Sequence, residues 1–297
     1  MDIGSREGGA EYFGIQLARF LNKQEFDVAI FIMWYGGSEM EQQWLDVLLN
    51  EGLQVAGLIR PGRHPLRDLW PISKSFWAFV NSFKPQIIHT HSQRGDLLAL
   101  VVKWFHPLRP ISIRTVHIDQ PWLNRWWADV VFNRALFPCM FDEEIAVSKI
   151  VQEKLNKRRL ARILGRRAEL CYNGIDARFF SQEFQKEPIR SDSPPNLPDV
   201  YPRVGFIGRL VNQKGVTYLL QAMRIVNQYR LAHLFIIGTG PLESELRHQV
   251  QELGLDGRVH FLGSRCDIMK IIPCLDALVL PSLWEGLSTV LLEAMAL

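Results

Sequence analysis

Short apolar runs rich in β-branched residues alternate along this chain with longer stretches whose apolar residues recur at helical spacing. In the first half the predicted strands are 28–33, 55–59, 87–90, 111–116, 145–148 and 169–172, and the predicted helices are 40–50, 69–83, 97–104, 121–141 and 150–164. In the second half the strands are 203–207, 233–237, 259–262 and 277–280, and the helices are 216–229, 242–253 and 268–272. This succession predicts an α/β protein with doubly wound parallel sheets.

The alternation is interrupted by a proline-rich interval. Residues 177–202 contain five prolines and few apolar residues, so they cannot supply a strand to a sheet core. The chain is therefore predicted to form two domains, residues 1–176 and 203–297, joined by a linker at 177–202. A chain of 297 residues that is 47% hydrophobic has enough apolar material for two cores of usual domain size.

Charge and cysteine content exclude several classes of protein. A net charge of +3 is too small to indicate a nucleic-acid partner. The four cysteines lack C-x-x-C spacing, which favours neither a zinc site nor a disulfide framework and fits a reducing setting. The first residues lack the apolar core of a signal peptide, and no run reaches the roughly 18 apolar residues of a membrane span. A cytoplasmic protein, soluble or peripheral to a membrane, is expected.

The residues that follow each strand carry the chemistry, because open α/β sheets bind ligands beyond the carboxyl ends of their strands. The turn 208–215 follows a predicted strand and contains Arg209 and Lys214. Its glycines let the backbone approach a phosphate, and its two cations can neutralise a diphosphate. The alternative is a pair of solvated surface cations. A P-loop is excluded because Lys214 precedes Gly215 instead of following the second glycine.

Two glutamates near the end of the sequence flank a predicted helix start. Glu285 lies on the loop after a buried strand, and Glu293 lies in the early turns of a helix that begins near Ser288 or Thr289. Gly286 permits close approach of a ligand, and the backbone N–H groups that follow it point toward an anion. One carboxylate could accept hydrogen bonds from sugar hydroxyls and the other from a ribose. The alternative for Glu293 is a solvated helix residue, but its apolar neighbours favour a carboxylate with partners.

The remaining sequence signals for a functional site are weaker. The turn 238–242 resembles the start of a dinucleotide fingerprint, although Glu243 stands where the third glycine belongs, and a plain glycine-rich turn explains it equally well. His89 and His91 share one face of a strand, but no acidic third ligand is nearby in sequence, so no metal site is predicted. His117 follows the next strand and is either a satisfied structural residue or a catalytic one.

Taken in order, these motifs resemble the retaining glycosyltransferases of family 4, the glycosyltransferase group 1 family. The resemblance is carried by Gly8-Gly9-Ala10-Glu11, Thr115-Val116-His117, Val147-Ser148-Lys149, Tyr172-Asn173-Gly174-Ile175-Asp176, Gly208-Arg209-Leu210 through Lys214-Gly215, Gly238-Thr239-Gly240-Pro241-Leu242, and Glu285 with Glu293. It implies a GT-B fold, in which two Rossmann-like domains face across a cleft. The first domain would bind mainly the acceptor and the second mainly the nucleotide-sugar donor.

The resemblance also implies roles for individual residues. Arg209 and Lys214 would bind the donor diphosphate, Glu285 the sugar hydroxyls and Glu293 the ribose. His117 would contact the transferred sugar, so the candidate catalytic residues are His117 and Glu285. The remaining donor-binding candidates are backbone positions, namely Gly8, Gly9, Gly286, Leu287 and Ser288. Neither a metal nor a cofactor is expected, and the donor would be a UDP- or GDP-sugar.

The implied function is transfer of a hexosyl group, with retention, from a nucleoside-diphosphate sugar to a lipid, glycan or small-molecule acceptor, as in the synthesis of cell-envelope polysaccharides. The alternative is a catalytically impaired module that only binds the nucleotide sugar. An epimerase of the same architecture is disfavoured by the glutamate pair, and a nicotinamide dehydrogenase by the absence of G-x-G-x-x-G.

Two segments of the first half combine aromatic residues with cations. These segments are Pro121–Trp127 and Lys157–Arg167, and both suit peripheral contact with an anionic membrane. The alternative is that the first segment supplies core tryptophans and the second forms a solvated helix face. Members of the family also begin with an apolar strand before the Gly-Gly turn and continue beyond the helix of Glu293. We therefore expect a fragment of a longer gene product. Loss of that central strand would leave its two neighbours with unpaired backbone groups.

Overall fold

A computed structural model describes residues 9–21, 23–37, 39–57, 65–117, 129–175, 197–265 and 267–297. The chain forms two compact units, Met1–Asn173 and Gly174–Leu297. Each unit alternates helices with parallel strands, which confirms the predicted α/β class. Most of the predicted linker, residues 177–196, lies outside the described residues. Leu197, near its end, is buried in the core of the second unit beside Phe235.

Six strands lie within the described residues of the first unit. Its elements are, in chain order, α1 (Gly9–Phe20), β1 (Ala29–Ile32), α2 (Glu39–Asn50), β2 (Gln54–Gly57), α3 (Pro65–Phe83), β3 (Ile87–Thr90), α4 (Gln93–Phe105), β4 (Ile111–Val116), a π-helical segment (Asp129–Leu136), α5 (Phe137–Met140), β5 (Glu143–Ala146), α6 (Lys149–Lys157), α7 (Arg159–Ile163) and β6 (Glu169–Leu170). The first part of the predicted helix 121–141 lies outside the described residues.

The strands of the first unit pair in two groups. β1 pairs in parallel with β2, and β3, β4, β5 and β6 pair in parallel in that order. Over the described ranges no backbone pairing joins β1 to β3, so each has an unpaired edge. Phe31 of β1 and Ile88 of β3 nevertheless belong to one apolar cluster, formed with Ile72, Phe76 and Val80 of α3.

A buried ionic network joins the middle of the second strand group to its helices. Arg114 on β4 lies 3.7 Å from Asp96 of α4 and 3.6 Å from Glu144 of β5, with its guanidinium 4.3 Å from the centre of the Phe137 ring. Glu144 is also paired with Arg158. Burial is the largest influence on Asp96 and raises the pKa of its carboxyl, which Arg114 opposes. The network fixes α4, β4 and β5 relative to one another.

Among the element boundaries that differ from the prediction, two are explained by side-chain contacts. The strand predicted at 145–148 is Glu143–Ala146, because Ser148 instead caps α6 by accepting a hydrogen bond from the Val151 N–H. The helix predicted at 150–164 is divided at Arg158, whose backbone is extended. The guanidinium of Arg158 is buried against Glu144, so this residue leaves the helix to complete the ionic network.

In the second unit, the part that the structure describes includes four strands. Its elements are, in chain order, β7 (Arg203–Ile207), a 3-10 turn (Asn212–Lys214), α8 (Val216–Tyr229), β8 (His233–Ile237), α9 (Glu243–Glu252), β9 (Val259–Gly263), α10 (Ile268–Ile271), a 3-10 turn (Ile272–Cys274), β10 (Ala277–Leu278) and α11 (Thr289–Ala296). All four strands are parallel and lie in the order β10, β7, β8, β9.

Both faces of this sheet are covered, which explains why β8 is apolar from Leu234 to Ile237. Leu234 and Ile236 of β8 pack with Leu220 of α8 on one face. Phe235 and Ile237 pack with Ile271 of α10 on the other. The carboxyl ends of β7, β8 and β10 therefore open on one edge of the sheet. Across the described residues, no helix has both the length and the apolarity needed to cross a bilayer.

Candidate functional site

Two loops at the carboxyl edge of the second unit are joined through their backbones. The Leu283 N–H donates to the carbonyl oxygen of Gln213 at 2.8 Å, and Gln213 Nε2 donates to the carbonyl oxygen of Trp284 at 2.9 Å. Gly215 has a φ of 64°, and a Cβ at this position would overlap the carbonyl oxygen of Pro281. Only glycine therefore allows the loops after β7 and β10 to meet at this distance.

The contact between these loops brings together two of the predicted site residues. Lys214 Nζ pairs with Oε1 of Glu285, and Ser282 Oγ donates to the same oxygen at 2.8 Å. The two charged side chains keep 19% and 26% of their exposure, so a ligand can reach them. Among the residues that the structure describes, neither Glu285 Oε2 nor the exposed guanidinium of Arg209 has a hydrogen bond or ion pair. The loops thus present a paired cation, a second cation and an available carboxylate oxygen.

The glycine-rich turn after β8 packs against the same region. The Leu210 N–H donates to the carbonyl oxygen of Thr239 at 2.9 Å. A Cβ on Gly238 would overlap the Gly208 carbonyl oxygen, and one on Gly240 would overlap that of Leu210. Close backbone approach between two loops therefore accounts for these glycines.

Glu293 is held in the body of the second unit. Its helix α11 begins at Thr289 with Ser288 in the N-cap position, as predicted, although the Ser288 side chain makes no capping hydrogen bond. Val290 and Ala294 pack against the apolar cluster that contains Phe235, and Glu293 is only 8% exposed. Gly286, Leu287 and Ser288 are half-buried and lead directly into this helix. The helix start therefore adjoins the Lys214–Glu285 pair along the chain.

The first unit gathers three histidines at the carboxyl ends of β3 and β4. His91 Nδ1 lies 3.2 Å from His117 Nε2, and His89 Nε2 lies 2.8 Å from Thr115 Oγ1. The ring of Phe13 on α1 meets the His117 ring at an angle of 63°, with centroids 5.5 Å apart. We call His89, His91 and His117 the histidine cluster.

Burial keeps this cluster neutral. It lowers the pKa of His89 to about 4, and with a smaller contribution from His89 it lowers the pKa of His117 to about 4. The pKa of His91 is held well below its usual value by burial, with smaller contributions from His89 and His117. A neutral His117 can exchange one hydrogen bond through Nδ1, which has no bond to the described residues, but it cannot supply positive charge at pH 7.

The remaining candidates of the first unit lie at the start of α1. Gly9 is the first residue of this helix, one turn before Phe13 and on the same helical face. Phe13 contacts the histidine cluster, so the first turn of α1 adjoins His117. Gly8 lies outside the described residues. In the part of the chain that the structure describes, no three His, Cys, Asp or Glu side chains form a group that could bind a metal.

The structure thus places the candidates in two groups. The second unit holds Arg209, Lys214, Glu285, Gly286, Leu287, Ser288 and Glu293, and the first unit holds Gly9 and His117. The sequence reasoning missed Ser282, Gln213 and Phe13. Ser282 stands three residues before Glu285, a local spacing that could have indicated a side-chain contact. The contact of Gln213 with Trp284 spans 71 residues and has no local signal.

Two family models match the chain. The model described as Glycosyltransferase Family 4 matches residues 7–179, and the model described as Glycosyl transferases group 1 matches residues 201–297. Together they cover both units.

Characterised and uncharacterised relatives agree with these models. An uncharacterized glycosyltransferase of Methanocaldococcus jannaschii is 25% identical over 248 residues, covering 79% of this chain and 60% of the relative. The UDP-Gal:alpha-D-GlcNAc-diphosphoundecaprenol alpha-1,3-galactosyltransferase of Escherichia coli is 24% identical over 237 residues, covering 74% of this chain and 58% of the relative. This chain therefore matches about three fifths of the length of these relatives.

Solved structures share the fold. The Anabaena protein HepE, crystallised with UDP and glucose, has a TM-score of 0.74 at 20% identity and covers all of this chain and 77% of its own. Sucrose-phosphate synthase from Thermosynechococcus elongatus has a TM-score of 0.71 at 20% identity, covering 97% of this chain and 73% of its own. The predicted GT-B fold class is confirmed. Since the first family model matches more than half of the sequence, the chain belongs to Glycosyltransferase Family 4.

Proposed function

We propose that this chain carries the donor site of a retaining hexosyltransferase that uses a nucleoside-diphosphate sugar. The observation that carries the proposal is the Lys214–Glu285 pair with Arg209 on the same loop, at the carboxyl edge of a parallel sheet. Cations for a diphosphate and a carboxylate for sugar hydroxyls thus stand in one place. The name of the E. coli relative specifies a UDP-sugar donor and a lipid-linked sugar acceptor, which makes UDP-sugars the first donors to test.

The mechanism follows from the charges. When the nucleoside diphosphate departs, negative charge accumulates on its oxygen atoms, and Arg209, Lys214 and the backbone N–H groups before α11 stabilise it. Glu285 Oε2 orients the sugar by accepting hydroxyl hydrogen bonds, and Glu293 binds the ribose. The neutral His117 contacts the transferred sugar. The acceptor attacks from the face that the leaving group vacates, its proton passes to the leaving phosphate, and the anomeric configuration is retained.

The first prediction concerns the two cations. Lys214→Ala and Arg209→Ala should each lower turnover of a nucleotide-sugar donor by about 100-fold or more, because each removes a fixed charge that stabilises the leaving group. The measurement is release of nucleoside diphosphate from UDP- and GDP-hexoses by the native protein. Proton NMR of the product should show the donor's anomeric configuration.

Exposed cations elsewhere in the second unit provide the controls. Arg224→Ala on α8 and Lys270→Ala on α10 should retain normal turnover. Normal turnover in both site variants would contradict the assignment of Arg209 and Lys214. A native protein that binds donor and neither hydrolyses nor transfers the sugar would support the alternative, a nucleotide-sugar-binding module.

The proposal includes peripheral contact with an anionic membrane at its cytoplasmic face. Residues 149–167 carry eight Lys or Arg side chains and a single acid, Glu153. Ile150, Ile163 and Leu164 are exposed among these cations. Exposed aliphatic side chains surrounded by cations complement a bilayer with anionic headgroups. The other candidate segment, Pro121–Trp127, lies outside the described residues.

The second prediction tests this surface. The protein should co-sediment with phosphatidylglycerol vesicles at low salt and be released at high salt, because headgroup attraction is screened. Arg159→Glu combined with Arg162→Glu should weaken binding at least about tenfold. Arg224→Glu combined with Arg230→Glu, on the second unit, should leave it unchanged. Equal binding to phosphatidylcholine vesicles, or equal loss in both double variants, would count against a membrane surface on α6 and α7.

A further inference from the structure

The carboxylate of Glu285 is held asymmetrically. Oε1 accepts from both Lys214 Nζ and Ser282 Oγ, whereas Oε2 has no protein partner among the described residues. A glutamate side chain has three rotatable bonds, and a single ion pair leaves much of that freedom. Two donors on Oε1 fix the orientation of the carboxylate and leave Oε2 to accept hydrogen bonds from a ligand.

Ser282 itself is fixed by the loop around it. The residue after it, Leu283, donates its N–H to the Gln213 carbonyl oxygen, and the next residue, Trp284, accepts from Gln213 Nε2. These bonds hold the residues just before Glu285 against the residue just before Lys214. The hydroxyl therefore reaches Glu285 from a backbone that the Gln213 loop already constrains.

Ser282 and Lys214 differ in what a donor would do to them. A diphosphate attracts the ammonium group of Lys214, which then divides its hydrogen bonds between the phosphate and Glu285. The uncharged hydroxyl of Ser282 has no comparable attraction and stays on Oε1. Resting on the proposed function, we infer that Ser282 is a positioning residue that keeps Oε2 of Glu285 directed at the hexose of a nucleotide-sugar donor.

The consequence can be measured by binding alone, since Glu285 is assigned to the sugar and the cations to the diphosphate. Isothermal titration calorimetry would compare UDP with UDP-glucose, and GDP with GDP-mannose, on the full chain. Ser282→Ala should weaken binding of the nucleotide sugar about tenfold relative to binding of the bare nucleotide, and Glu285→Gln should do the same. Lys214→Ala should weaken both members of the pair.

Three further results complete the test. Ser282→Thr, which keeps the hydroxyl, should restore the ratio of the two dissociation constants, and Ser244→Ala, on the exposed face of α9, should not change it. The opposing result is that Ser282→Ala weakens binding of the nucleotide and of the nucleotide sugar equally, or weakens binding of neither, while Lys214→Ala weakens binding of both. That result would show that Ser282 has no positioning role, and the proposed function would stand. If the native protein binds none of the four ligands, the donor-site proposal is itself overturned.

Discussion

At the scale of single residues, Gly215 determines whether the site forms. Its φ of 64° lies in the left-handed region, and its α-carbon faces the carbonyl oxygen of Pro281 on the neighbouring loop. A side chain would meet both penalties, an unfavourable backbone conformation and an overlap with backbone that cannot move aside. Lys214 is the preceding residue, so displacement at Gly215 also moves the cation of the site.

We therefore predict that Gly215→Ala lowers the free energy of unfolding by about 2–4 kcal/mol and weakens nucleotide binding. Gly254 supplies a matched control, since its φ is 65° and nothing lies within 4 Å of the Cβ position. Gly254→Ala should lower the free energy of unfolding by about 1 kcal/mol and leave nucleotide binding unchanged. Urea denaturation and calorimetric titration measure the two effects, and equal costs for the two variants would disprove the contact with Pro281.

At the scale of elements, the histidine cluster joins β3, β4 and α1 and makes them sensitive to acid. The pKa values of His89 and His117 are about 4, well below the value near 6.5 of an exposed histidine. The unfolded chain therefore takes up more protons than the folded one between these values. These histidines do not reduce the free energy of unfolding above pH 6.5, and they reduce it increasingly as the pH is lowered toward 4.

The expected loss between pH 7 and pH 5 is about 1–2 kcal/mol for each of these two histidines. His89→Gln removes one titrating group, so the urea midpoint of this variant should depend less on pH over that interval. His248, which is mostly exposed on α9, provides the control, and His248→Gln should keep the native dependence. An unchanged pH dependence in His89→Gln would show that the cluster does not carry the effect.

Across the whole molecule, the sequence predicts elements better than contacts. Strands such as Ile87–Thr90, Ile111–Val116 and His233–Ile237 were predicted at their observed bounds, because each is a short run rich in apolar or β-branched residues between turn residues. The candidates Lys214 and Glu285 were found because they follow strands of one parallel sheet. These inferences rest on patterns within a few residues.

Features that depend on distant residues could not be predicted in this way. Nothing near Arg158 in sequence indicates that its guanidinium would bind Glu144 and divide a helix. The assignment of one Glu285 oxygen to Lys214, 71 residues away, likewise depends on how two loops meet. Such contacts depend on the three-dimensional arrangement of the elements, which the periodicity of the sequence does not specify.

The backbone bonds between the loops of the second unit have a thermodynamic consequence. Leu210 is bonded to Thr239, and Leu283 to Gln213, before any ligand arrives. Ordering a free loop around a ligand would cost conformational entropy for every residue immobilised. Here that ordering accompanies the folding of the unit itself. The affinity of the site is then reduced little by loop immobilisation, and most of the interaction energy between its side chains and a ligand remains as binding free energy.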